Sequence, residues 1–106
     1  MSEARPTIST HVLDTGRGRP ATGVTVELYR VDGGERLVGR GTTDADGRIR
    51  QLLDAPLEGG DYRIDFLVDG ALFRRLSVVL RIVDTARSYH VPLLLAPYSM
   101  ATYLGS

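Results

Sequence analysis

Val24-Thr25-Val26-Glu27-Leu28-Tyr29-Arg30-Val31, followed by Asp32-Gly33-Gly34, is the stretch that decides the fold. Val24, Val26 and Leu28 fall on one side of an extended chain, and Thr25, Glu27 and Tyr29 on the other. That period of two marks a half-buried strand. Asp32-Gly33-Gly34 is a hairpin turn, because glycine supplies the positive φ such turns require, and 36–43 returns as the partner strand. Downstream, 62–68 alternates again, with Tyr62, Ile64, Phe66 and Val68 facing one way. Further β-rich runs lie at 7–14, 48–52, 77–83 and 89–95, with a last short one at 98–103. The Gly- and Pro-containing segments at 15–23, 44–47 and 54–61 read as loops and turns. Pro92 inside 89–95 has no N–H to give a ladder, so that strand is expected at an edge or with a bulge. Only 71–76 reads as a helical turn. About eight strands at spacings of roughly 8 to 12 residues predict an all-β antiparallel sandwich.

The chain of 106 residues is one domain in size. We expect a loose tail over 1–6 and a single folded unit over 7–106. Thirteen basic residues balance 13 acidic ones, for a net charge of zero. Partners such as nucleic acid or a membrane surface need a clustered basic excess, so neither is expected. The absence of cysteine excludes a disulfide framework, a thiolate nucleophile and a Cys-ligated metal. No apolar run approaches the roughly 18 to 20 residues of a membrane span. The first residues carry no apolar signal region, so the expected location is cytoplasmic.

Few residues are suited to catalysis. His11 and His90 are the two histidines, and their unperturbed pKa lies nearest neutrality. A lone histidine in a strand is ordinarily a packed or surface residue, and neither has companions at metal-ligand spacing. Arg48 opens a short strand after a turn. It is either a solvated strand-end charge or a guanidinium fork for an anionic or carbonyl-rich ligand. Asp44 and Asp46 bracket that turn, and turn formation accounts for them. Ser99 and Ser106 lack the Gly-x-Ser-x-Gly setting of a nucleophile elbow. The glycines are dispersed through turns and form no phosphate cradle.

Three segments together resemble the transthyretin-like family. The first is Ser9-Thr10-His11-Val12-Leu13-Asp14, followed by Gly18-Arg19-Pro20-Ala21 and Gly23-Val24. The second is Thr43-Asp44-Ala45-Asp46-Gly47-Arg48-Ile49, with Gly60-Asp61-Tyr62-Arg63 beyond it. The third is Tyr89-His90-Val91-Pro92-Leu93-Leu94-Leu95, running to Tyr98 and to Thr102-Tyr103-Leu104-Gly105-Ser106. They occur in the family's order, and the histidine-containing motifs resemble its 5-hydroxyisourate hydrolase branch rather than the hormone carriers.

The resemblance implies a Greek-key sandwich of two four-stranded sheets with one short helix near 71–76. It implies a homotetramer, a dimer of dimers, acting on a small-molecule substrate in clefts between the dimers. The implied reaction opens the six-membered ring of 5-hydroxyisourate in urate degradation, by water attack on a cyclic amide, with no metal or organic cofactor. Carried over by motif, His11, Arg48, His90 and Ser106 are the catalytic positions, and Arg48, Tyr103 and Leu104 bind substrate. The match departs from the family at Leu104, where the terminal tetrapeptide has Arg, at Ser88, where a second His is usual, and at Met100, commonly Tyr. The segment between Tyr62 and Tyr89 is also shorter. Two other readings stay open at this point. One is an enzyme reshaped for another small heterocycle or cyclic amide, as in secondary metabolism. The other is a non-catalytic member that keeps the cleft for binding.

Overall fold

The computed structural model describes residues 5–106. Most of the expected tail therefore lies outside the described residues. Ten strands follow in order: β1 (Ile8–Asp14), β2 (Arg19–Pro20), β3 (Thr25–Arg30), β4 (Arg36–Thr42), β5 (Arg48–Ile49), β6 (Gly60–Leu67), β7 (Leu76–Ile82), β8 (Tyr89–His90), β9 (Leu93–Ala96) and β10 (Ser99–Thr102). One sheet is antiparallel throughout, in the order β4-β3-β6-β7. The deciding stretch is its β3, flanked by β4 and β6. The alternation holds: Val26 and Leu28 of β3 and Tyr62, Ile64 and Phe66 of β6 are all buried.

The second sheet is built on β1. Four strand positions are filled by six short strands. On one edge of β1, β2 and β5 pair antiparallel in succession. On the other, β8 and β9 pair parallel, and β10 continues the sheet beyond β9. The β8 and β9 registers agree, with Ile8 opposite Tyr89 and Val12 opposite Leu93. They are thus one run interrupted at Val91 and Pro92, where the proline cannot donate. The two sheets enclose a core to which β1 gives Ile8, Thr10 and Val12 and β9 gives Leu93. Burying one such aliphatic or aromatic side chain contributes about 1.5–3 kcal/mol. Thr10 is tolerated there because its hydroxyl donates to the Val91 carbonyl at 2.7 Å.

Three expectations are corrected. No helix forms over 71–76. The amides of Val68 and Asp69 both donate to the Arg74 carbonyl, and Gly70 N–H donates to Phe73 O at 2.8 Å. The segment is the turn of a β6–β7 hairpin, with Asp69 at φ 46°. Six residues close too few helical bonds to recover the nucleation cost, while the ladder, which reaches Phe66 opposite Leu76, holds both ends. The loop over 15–23 contains a strand, β2, in which Pro20 occupies an edge. Finally, the sandwich is not wholly antiparallel, since β1 runs parallel to β8 and β9.

Asp65 is buried although it lies on the face of β6 opposite the core residues. Arg63 makes this possible. Its Nε and Nη2 donate to the two Asp65 carboxylate oxygens at 2.9 and 3.2 Å, and its guanidinium lies 4.6 Å from the centroid of the Tyr29 ring. A fork of this kind satisfies both oxygens at once.

Where β4 passes the segment after β5, the chains are in near contact. A Cβ on Gly39 would sit 1.8 Å from the Leu52 carbonyl oxygen. Gly39→Ala is expected to destabilise the domain by about 1–3 kcal/mol or more. Urea denaturation checks this; an unchanged midpoint would mean that the two segments separate freely.

Candidate active site

The inward turn of Thr10 and Val12 sends Ser9, His11 and Leu13 to the other face of β1. Pairing then brings partners to them from both edges. The antiparallel register of β5 sets Arg48 opposite His11. The parallel register of β8 sets His90 opposite Ser9. Facing side chains on paired strands stand about 4.5–5.5 Å apart at Cβ. Three residues distant in sequence thus share one patch of sheet with Ser9.

Arg48 is fixed from its own turn. Asp44 Oδ1 accepts from the amides of Asp46 and Arg48 at 2.9 and 3.0 Å, and the Asp44 carbonyl accepts from Gly47 at 2.9 Å. These backbone donors, Arg48 first, hold the Asp44 carboxyl below its usual range. Gly47, at φ 76°, gives its carbonyl to the Val12 amide at 2.7 Å. A Cβ there would meet the Val12 carbonyl oxygen at 2.5 Å, so the turn docks on β1 only with glycine. Asp44 therefore orients the backbone of Arg48 and is a turn-former, as its position in the sequence suggests.

His90 is held on three sides. Its Nδ1 lies 2.9 Å from Ser9 Oγ. The Gly105 amide donates to the His90 carbonyl at 2.7 Å. Gly105 also packs against the ring, since a Cβ there would come within 2.8 Å of Cδ2. Burial is the first cause that pushes the His90 pKa down, followed by the positive charge of Arg48 and by His11. Burial and the neighbouring charge both favour the neutral form of the imidazole.

Ser9, Arg48, Ser88, His90 and Ser106, with Arg87 at the rim, line a cleft of about 330 Å³. That volume suits a small heterocycle and little more. His11 stands beside Arg48 on the same sheet face, adjoining the cleft. Tyr103 and Leu104 are not brought to it. Both are about half exposed and line a separate apolar groove against β7, with Val79, Leu80 and Val91. The bridge between His90 and Gly105 turns Ser106 toward the cleft.

Four lining residues were not assigned to the site from the sequence: Ser9, Arg87, Ser88 and Gly105, although Ser9 and Gly105 lie in the family motifs and Ser88 is a departure from them. Ser9 shares its strand parity with His11, a local signal. Ser88 Oγ accepts from the Thr7 amide at 3.0 Å, and Arg87 lies 5.0 Å from the Tyr89 ring centroid. Among the described residues no group of three or more His, Cys, Asp or Glu is placed to hold a metal ion.

The electrostatics give a direct check. By NMR, His90 is expected to titrate below 6.5, the ordinary histidine value. Arg48→Gln removes one positive neighbour and should raise the midpoint, with His90 charging at higher pH than in the native protein. A midpoint unmoved by the substitution would mean that Arg48 and His90 do not share the cleft.

Comparison with known proteins shows the family and the fold. A model of the HIUase/Transthyretin family matches residues 8–105. The chain is 42% identical to the uric acid degradation bifunctional protein TTL of Arabidopsis thaliana, over 97% of its own length but only 38% of that protein's. It is 40% identical to 5-hydroxyisourate hydrolase 2 of Rhizobium meliloti, over 93% of this chain and 95% of the relative. Among solved structures, that of Klebsiella pneumoniae 5-hydroxyisourate hydrolase superposes with a TM-score of 0.84 at 35% identity, covering 95% of this chain and 99% of the other. With a family match that spans nearly the whole folded unit, the chain belongs to the HIUase/Transthyretin family.

Proposed function

We propose that this protein is a cyclic amide hydrolase that opens the six-membered ring of 5-hydroxyisourate. The observation that carries the reading is the meeting of His11, Arg48 and His90 on one face of the β1 sheet, from three separate strands. Relatives of nearly the same length that carry the name 5-hydroxyisourate hydrolase support the substrate.

The residues fit the chemistry. A neutral imidazole takes a proton from water as the water oxygen attacks a ring carbonyl carbon. The resulting oxyanion lies against the guanidinium of Arg48, whose charge stabilises it. Collapse breaks the ring C–N bond. The nitrogen leaves with the proton the imidazolium carried, and a carboxyl group remains. Ser106 presents a hydroxyl to the same cleft. General base catalysis of this kind contributes about a hundredfold to ten-thousandfold. The side chains suffice for every proton transfer, so the proposal includes no metal and no organic cofactor.

Oligomerisation belongs to the same reading. The groove lined by Tyr103, Leu104 and Val79 is open apolar surface beside the edge strands β7 and β10. Surface of this kind is covered by a partner in many small domains. A homotetramer, assembled as a dimer of dimers, covers it with a second copy of the chain. Tyr103 and Leu104 then contribute to substrate binding from an interface rather than from within one chain's cleft. The described residues contain no helix long and apolar enough to cross a membrane.

The first test uses freshly generated 5-hydroxyisourate, followed spectrophotometrically. The protein should accelerate its decay over buffer, and equality with buffer would overturn the substrate. His11→Ala and His90→Ala should each lower turnover by about a hundredfold or more. Native-like turnover in either folded variant removes that histidine from the mechanism. Light scattering at micromolar concentration should give the mass of four chains; a monomer would contradict the assembly.

A further inference from the structure

We infer that Ser9 is the positioning residue of the site, accepting a hydrogen bond from Nδ1–H of His90 and so leaving the lone pair on Nε2 for the water. This rests on the hydrolase reading and deepens it, since it names His90 and one of its nitrogens as the base.

The geometry has three parts. First, Ser9 and His90 are directly opposed in a parallel ladder, and Oγ lies 2.9 Å from Nδ1, which is hydrogen-bond distance. Second, the ladder fixes both backbones around the pair: Tyr89 N–H donates to Thr7 O at 2.8 Å and Val91 N–H to Ser9 O at 2.9 Å. Third, Gly105 stands at the other edge of the ring, where a Cβ on it would come within 2.8 Å of Cδ2. Turning the ring over would exchange Nδ1 and Cδ2. It would put a carbon against the Ser9 hydroxyl and a polar nitrogen against a glycine Cα. The ring therefore has one orientation, and Nε2 is the nitrogen left for chemistry.

The hydroxyl can donate or accept, so geometry alone leaves two tautomers. The neighbours decide between them. Arg48 lines the same cleft and presents donors and positive charge to it, with His11 beside it on the same face. A hydroxyl that accepts from Nδ1–H places the negative end of its dipole against the ring and supports the imidazolium formed when Nε2 takes a proton. A hydroxyl that donates to Nδ1 would place hydrogen on Nε2 and remove the lone pair the reaction needs. In a hydrolytic triad a carboxylate performs the same orienting task, and its loss leaves the wrong tautomer. A neutral hydroxyl does so more weakly and adds no charge to the cleft.

The test joins a spectroscopic and a kinetic readout. Long-range 1H–15N correlation of the native protein should show His90 with a protonated Nδ1 and an unprotonated Nε2. In Ser9→Ala the population should shift toward Nε2–H. With 5-hydroxyisourate, kcat should fall about tenfold or more while KM changes less than about twofold. Ser9→Thr keeps the hydroxyl on the same Cβ and should recover most of both effects, which a merely structural role for Ser9 does not predict. Nε2–H in the native protein overturns the inference, and so does an unchanged tautomer or an unchanged kcat in Ser9→Ala. Should the native protein fail to accelerate decay of 5-hydroxyisourate, the substrate reading falls, but the tautomer measurement still decides whether Ser9 positions the ring.

Discussion

Strand β1 is paired along both edges, and almost everything else in the molecule follows from that. Its inward residues, Ile8, Thr10 and Val12, belong to the core; of its outward residues, Ser9 lines the cleft and His11 adjoins it beside Arg48. The partner strands each deliver one functional side chain to the outward set, Arg48 from β5 and His90 from β8. A slip of one residue in either ladder would carry that side chain to the opposite face. Core packing therefore enforces site geometry. Thr10, bonded to the Val91 carbonyl, locks the parallel register from inside the core, one residue away from the Ser9–His90 contact it protects.

The fold was legible where hydrophobic periodicity is a local property. Val26 and Leu28, and Tyr62, Ile64 and Phe66, declare their faces within a few residues, and they are buried accordingly. The segment 71–76 misleads for the same reason. Its composition permits a helical turn, but its conformation is decided by the ladder between β6 and β7, whose strands lie on either side of it. Arg19 and Pro20 carry no strand signal and are extended only because Leu13 and Asp14 pair with them. Asp65 is the opposite case. Its charge forecasts exposure, and only Arg63 laid across it makes burial tolerable.

Within the site, residue type singled out His11 and His90, the two histidines, whereas Arg48 is one of 13 arginines and was marked only by its place in the family motif. Their convergence was not readable from periodicity. Ser9 and His90 are 81 positions apart, and nothing local reports a parallel register across that span. Tyr103, Leu104 and Ser106 are adjacent in sequence yet divide between two surfaces. The division is made at Gly105, whose bridge to His90 draws the chain against the sheet. A Cβ there would strike the imidazole and rest against Pro92.

The cleft also shows why its cation and its base belong together. In the proposed reaction Arg48 would serve the developing oxyanion, and the same positive charge discourages protonation of His90. A carboxylate beside the ring would orient it as well as a hydroxyl does, but would raise its affinity for a proton and compete with the substrate for the guanidinium. The Asp44 carboxylate, in the turn before Arg48, is instead turned to backbone amides and to Arg50. Asp44 thus fixes where Arg48 begins without occupying the fork of its guanidinium. The negative charge of Asp44 is satisfied within the turn that sets Arg48 opposite His11.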